Sequence, residues 1–324
     1  MTTDLSCRYG PVAPVRAMTI TTTDAQRLHL RVLREAVDPA APPVLFVHAL
    51  AMNGDMWAGV ADALADVLAD ALTSPAATSR SSSSEASSFE ASSFEASTHA
   101  LPSSLLGGAM IAMDCRGHGA SDAPAGAYTI DRFAQDIADV ATALGAGRLH
   151  LVGCSMGGTV ALAFAGGHPD RLASLTVIDA TAWYGADAPK NWEGRAQAAL
   201  KDGMASLVEF QRARWFSPQF LADNNDLVEQ AVDVFTANRV DAYASTCRML
   251  GVADARAGLG RYDGPAAVVV GEHDYATPVS MAQDVAAHLP NARLTVISET
   301  RHYTPLEAPR QVAACIAEVM RRAV

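Results

Sequence analysis

The stretch of this chain best suited to do chemistry is Gly153-Cys154-Ser155-Met156-Gly157. A short apolar strand leads into it and a helical segment, 159–168, leads out. A serine on a tight strand-to-helix turn needs small residues two positions away on either side, because larger ones collide as the backbone bends. Such a turn lifts the Ser155 hydroxyl clear of the sheet. It also leaves the Met156 amide at a helix N-terminus, where developing negative charge is stabilised. The expectation is a nucleophilic serine; the plain alternative is a glycine-rich turn in some doubly wound sheet.

A serine hydroxyl at neutral pH is a weak nucleophile and needs a base, usually histidine, which a carboxylate orients. For a nucleophile on this kind of turn the acid follows along the chain, and the histidine follows the acid. Two acids end apolar strands downstream of Ser155, namely Asp179 and Asp274. Asp274, in Gly271-Glu272-His273-Asp274-Tyr275-Ala276-Thr277-Pro278, is preferred, because Asp179 opens into a helical region where it can cap or hydrogen-bond. His273 is expected to face away from Asp274, as neighbours in an extended loop do. His302 follows the last apolar strand and completes the order. The second oxyanion donor besides Met156 is expected to be the Leu50 N–H, in His48-Ala49-Leu50 at the end of the first parallel strand. Asp114-Cys115-Arg116-Gly117-His118-Gly119 lacks the Lys-Ser/Thr ending of a phosphate loop, so Arg116 and Asp122 are expected to tie a loop near the site. The histidines and acids show no metal-ligand spacing, and no cofactor is implied.

These residues need a scaffold, and the apolar pattern supplies one. Segments 15–22 and 26–35 read as an antiparallel hairpin at a sheet edge. Segments 44–47, 109–113, 148–152, 175–178, 266–270 and 294–297 read as strands, the first a continuous apolar run buried on both faces. Helical patterns lie between them, the clearest at 130–144 with Ile130, Phe133, Ile137, Val140, Ala141 and Leu144 on one face. From 181 to 261 only helical stretches occur. The fold class is therefore α/β: a mostly parallel, doubly wound sheet with a helical cap inserted before the acid-bearing strand. Core residues 1–180 and 263–324 flank a cap at 181–262, and caps of this kind close over sites at the carboxyl ends of strands.

The charge balance, 24 basic against 35 acidic residues for a net −11, argues against a nucleic-acid partner or an anionic membrane surface. Five widely spaced cysteines suit neither a disulfide framework nor a zinc site and point to a reducing compartment. The first ten residues lack the features of a signal peptide, and no apolar run reaches the ~18 residues that span a bilayer. The expected location is cytoplasmic. Segment 73–104 is Ser/Ala-rich and repeats the pentad Ser-Ser-Phe-Glu-Ala at 87–91 and 92–96. It has too little apolar content to offset its ordering entropy and reads as a disordered surface insertion. Joining Leu72 to Leu105 through a short Gly/Ser linker is expected to keep fold and activity, since loop length costs only logarithmically. Hydrogen exchange should find 81–98 unprotected; strong protection there, or an insoluble deletion variant, would overturn the reading.

Taken together, the chain from about 44 to 319, outside the insertion, resembles the α/β-hydrolase superfamily. The nucleophile motif, Gly271-x-x-Asp274-x-x-x-Pro278 and the late His302 carry the resemblance. Within it the chain is similar to the 3-oxoadipate enol-lactone hydrolases of aromatic-compound catabolism. The similar stretches are Arg116-Gly117-His118-Gly119-Ala120-Ser121-Asp122 with Tyr128-Thr129-Ile130, Ser155-Met156-Gly157-Gly158, Asp274-x-Ala276-Thr277-Pro278 and, in the cap, Trp192-x-x-Arg195 and Arg214-Trp215-Phe216. Two stretches depart from that pattern. His48-Ala49-Leu50-Ala51 stands where Asn-Ser-Leu-Gly is usual, and Thr304-Pro305-Leu306-Glu307-Ala308-Pro309 stands where Asn-x-Glu-x-Pro is expected. The resemblance implies a serine hydrolase cleaving a small-molecule carboxylic ester or lactone, with Arg214, Trp215 and Arg195 as substrate-binding residues for a free carboxylate. A general carboxylesterase, a carbon–carbon bond hydrolase or an acyltransferase would share the fold, and a non-catalytic receptor is the reading from a different class.

Overall fold

A computed structural model describes residues 14–73 and 107–323. Of the Ser/Ala-rich segment only Thr73 lies among the described residues, and Cys7 lies outside them. Eight strands form one sheet: β1 (Arg16–Thr21), β2 (Arg27–Arg34), β3 (Val44–Val47), β4 (Met110–Met113), β5 (Leu149–Cys154), β6 (Leu172–Ile178), β7 (Ala266–Gly271) and β8 (Ala292–Ile297). Their spatial order is β1-β2-β4-β3-β5-β6-β7-β8. Strands β4, β3, β5, β6, β7 and β8 run parallel, and β2 pairs antiparallel with both β1 and β4. The hairpin expected at 15–35 thus lies at the edge of the sheet.

Burial follows position. Strands β3, β4, β5, β6 and β7 are buried at every residue, whereas the edge strands β1 and β8 leave several side chains open. Continuous Val/Leu/Ile runs are what a strand covered on both faces requires. The strand expected at 175–178 begins earlier, at Leu172, because Leu172 and Ala173 are buried and Leu172 pairs with Leu149. The covering helices are α1 (Ala58–Thr73), α2 (Ile130–Ala143), α3 (Met156–Gly167), α9 (Val279–His288) and α11 (Pro309–Arg321), with α10 (Thr304–Glu307) a single turn. Helix α2 starts where the Thr129 side chain accepts from Arg132 N at 3.2 Å, and its apolar stripe faces the core. Helix α3 is apolar nearly all round, as fits a helix directly under the sheet's centre.

Between β6 and β7 lie α4 (Ala188–Asp202), α5 (Val208–Trp215), α6 (Pro218–Asp223), α7 (Asn225–Thr236) and α8 (Val240–Val252). Helix α4 packs along α8, and Arg248 grips Glu193 with bonds of 2.7 and 2.9 Å. One β-bridge, Trp183 with Asp254, closes the base of this cap, where only helices were expected. Among the described residues no helix is long and apolar enough to cross a membrane. The four described cysteines are buried and free.

The 114–122 loop is held by ion pairs as expected, but to two different places. Arg116 pairs with Asp136 of α2 at 2.6 Å and with Asp24 of the β1–β2 turn at 3.0 Å, while Asp122 pairs with Arg27 at 2.9 Å. Arg116 and Asp136 are both buried, and each has a second ion-pair partner, Asp24 for Arg116 and Arg132 for Asp136.

Candidate active site

The site assembles at the carboxyl ends of the strands. Four non-glycine residues with positive φ cluster there: Ala51 after β3 (59°), Ser155 after β5 (52°), Asp179 after β6 (48°) and Glu299 after β8 (59°). Each such residue costs roughly 1–3 kcal/mol, a strain that persists only where the surroundings enforce it. At Ser155 the enforcement is steric. A Cβ on Gly157 would lie 2.2 Å from Val47 O, and one on Gly153 would lie 2.3 Å from Gly157 O. Only glycine lets β5, α3 and the end of β3 come so close, which is why the motif has glycine at both positions.

Ser155, His302 and Asp274 come together. His302 Nε2 is 2.8 Å from Ser155 Oγ, and His302 Nδ1 is 2.8 Å from Asp274 Oδ2. Asp274 Oδ1 accepts from Ala276 N at 2.7 Å and Thr277 N at 3.0 Å, and the Thr277 hydroxyl donates to Oδ2 at 2.7 Å. Burial opposes the charge on this carboxyl, but His302 and the Thr277 donors outweigh it and hold its pKa below the usual carboxylate value. All three side chains are buried, so water screens the relay little. Such an arrangement can pull a proton from the hydroxyl and return it to a leaving group. His273, beside Asp274, faces solvent as expected.

A cavity of about 520 Å³ opens over Ser155 and His302. Leu50, Arg195, Arg214 and Trp215 line it, so every sequence-predicted substrate contact reaches one chamber. Met156 is buried and stands at the first position of α3, where a backbone N–H has no intrahelical acceptor. Neither Arg195 nor Arg214 is paired with a carboxylate among the described residues. Arg195 lies over the Trp192 ring at 5.1 Å; Arg214 lies over Phe210 at 4.9 Å and donates to Tyr275 O at 3.0 Å. Burial, with Arg195 adding to it, lowers the Arg214 pKa. An anion between the two would relieve both effects.

Several residues that build the site carry no local motif. His48 Nδ1 donates to Ala49 O at 2.8 Å while its Nε2 accepts from Cys115 N at 2.9 Å, so the neutral ring clamps the loop before Leu50. Burial lowers the pKa of His48, which keeps it in that neutral form. Asn238 of the cap donates to Ala51 O at 2.7 Å. Glu307 accepts from Arg301 N at 2.7 Å and from Ser217 N at 2.9 Å, and Tyr303 N donates to Trp215 O at 3.0 Å. The loop carrying His302 is therefore bonded directly to the cap. Asp179 does not bond into the cap, as its position suggests; it bonds to Gly271 and Thr304. The donor atoms of Glu272, His273 and Glu299 lie within 4.8 Å of one another, but all three residues are exposed and nothing else points to an ion there.

The matches to known proteins agree with this architecture. The chain is 31% identical over 213 residues to 3-oxoadipate enol-lactonase 2 of Acinetobacter baylyi, a match covering 66% of this chain and 79% of that relative. The solved enol-lactonase of Burkholderia xenovorans LB400 superposes with a TM-score of 0.75 at 23% identity, over 93% of this chain and 99% of that one. A thermophilic esterase from Thermogutta terrifontis gives a TM-score of 0.74 at 24% identity, over 95% and 99%. At these identities the two structures speak for the fold alone. The model of the α/β-hydrolase fold matches residues 42–309, so the eight-stranded, mostly parallel sheet is that fold and the chain belongs to the α/β-hydrolase family.

Proposed function

We propose that the protein is a serine hydrolase that opens a small carboxylic lactone bearing a free carboxylate, with 3-oxoadipate enol-lactone as the substrate that fits best. The hydrogen-bonded series Ser155–His302–Asp274 supports the reaction. Ser155 Oγ attacks the lactone carbonyl as His302 Nε2 takes its proton, and Asp274 holds His302 in the tautomer that can accept it. The amides of Leu50 and Met156 bind the oxyanion as charge develops on it. Collapse of the intermediate breaks the ring C–O bond, His302 protonates the departing enol oxygen, and the opened chain stays attached to Ser155 as an ester. Water, deprotonated by the same histidine, then releases the acid.

The observation that carries the choice of substrate is the pair of arginines lining one chamber, neither of them paired with a carboxylate among the described residues. Burying a substrate carboxylate under the cap requires a cationic partner, and a guanidinium matches it with two parallel bonds. Arg214→Ala is expected to raise KM for the acidic lactone about tenfold or more, roughly 1.4 kcal/mol or above. Turnover of p-nitrophenyl acetate should stay nearly unchanged. Arg214 also bonds Tyr275 O, next to Asp274, so the neutral ester reports any disturbance of the acid loop. Equal losses on both substrates would make Arg214 a cap support. No preference for the acidic lactone in the parent enzyme would leave a general carboxylesterase.

A further inference from the structure

Asp179 is wholly buried in the site yet has no part in the proton relay. Its backbone N donates to Val269 O of β7 at 2.9 Å, and the carbonyl just before it, Ile178 O, accepts from Ser155 N at 2.9 Å. Its carboxyl Oδ1 accepts from Gly271 N at 2.9 Å, three residues before Asp274. Oδ2 accepts from Thr304 N at 3.0 Å and lies 2.7 Å from the Thr304 hydroxyl, two residues after His302. Asp179, held at a φ of 48°, thus touches the segments bearing Asp274 and His302, and the carbonyl just before it touches the one bearing Ser155.

We propose that Asp179 is the positioning residue of this site: its carboxyl fixes the spacing between the loops that carry Asp274 and His302, next to the backbone that holds the Ser155 turn. The inference rests on the reading of those three as the catalytic series. Its leverage is geometric, since a misplacement of about 1 Å can cost about 10²-fold in rate. Burial, followed by the negative charge of nearby Asp274, raises the Asp179 pKa well above the carboxylate range, so of the two buried acids Asp274 carries the charge. Gly271 N, Thr304 N and the Thr304 hydroxyl all donate to the Asp179 carboxyl. An asparagine would keep the size of the group and its acceptor toward Gly271 N, its one conflict being an NH₂ facing Thr304 N–H.

The test is steady-state turnover of p-nitrophenyl acetate by Asp179→Asn, Asp179→Ala, Thr304→Val and the double variant Asp179→Ala/Thr304→Val, with Ser155→Ala as control. Asp179→Ala should lower kcat about 100-fold or more with KM within about twofold, and Asp179→Asn should recover to within about tenfold of the parent. Thr304→Val should cost about tenfold alone and almost nothing further on Asp179→Ala, because the two act as one unit. An unchanged kcat in Asp179→Ala, however far Tm falls, would reduce the residue to a structural brace and overturn the proposal, as would additive losses in the double variant. Should Asp179→Ala not fold, an unchanged kcat in Thr304→Val overturns it and a selective kcat loss upholds it. Turnover that survives Ser155→Ala would instead bring down the reading of the series itself.

Discussion

Ser155→Ala is expected to lower kcat on ester substrates by on the order of 10⁶-fold while leaving Tm almost unchanged. The hydroxyl lies 2.8 Å from His302 Nε2, and alanine offers no atom to attack with. Stability should barely respond. Alanine at a φ of 52° bears the same backbone strain as serine, and the hydroxyl's bond to His302 ties together two groups that other contacts already hold. The small remaining rate would measure what binding and the oxyanion amides achieve without a nucleophile. Turnover of p-nitrophenyl acetate within about tenfold of the parent would place the chemistry on another residue.

Asp274→Asn should cost about 10⁴-fold in kcat. An asparagine at 274 can keep an oxygen toward Ala276 N and Thr277 N, but it then turns an NH₂ group toward His302 Nδ1. The imidazole must accept there, its proton moves to Nε2, and it can no longer take one from Ser155. Asp179→Asn should cost only about tenfold, because an amide has the same shape and keeps an oxygen toward Gly271 N. Stopped-flow or steady-state kinetics on one ester, run on both variants, gives the ranking. If the order were reversed, the orienting acid would sit at the end of β6 rather than after β7.

The residues with chemistry of their own were legible because their signals are local. Gly153 and Gly157 bracket Ser155, Asp274 follows a buried strand and precedes a proline, and His302 follows the last strand. The apolar stretches marked the strands for the same reason. What the chain did not disclose are partners remote in sequence. His48 bonds Cys115 N at a separation of 67 residues, Asp179 bonds Thr304 at 125, and Asn238 bonds Ala51 at 187. A histidine in place of the usual asparagine at 48 reads as a departure until its ring is seen clamping the loop. Strand order is hidden likewise: nothing in the pattern of 110–113 says that β4 lies between β2 and β3.

The strand sequence also sets when the enzyme can first work. Ser155 is made with β5, but His302 lies 147 residues further on, beyond the cap, and Asp274 is 28 residues before it. Strands are added outward from β5 in the order β6, β7, β8, so the proton relay closes only when the far edge of the sheet has docked. Closing contacts of such span bears a loop entropy that short-range pairing does not, and chains fold from the N-terminus as they are synthesised. A ribosome-bound or partly refolded chain can already hold its central strands and its strained serine turn, yet remain chemically silent. With the proposed series, hydrolysis is thus the last property this chain acquires.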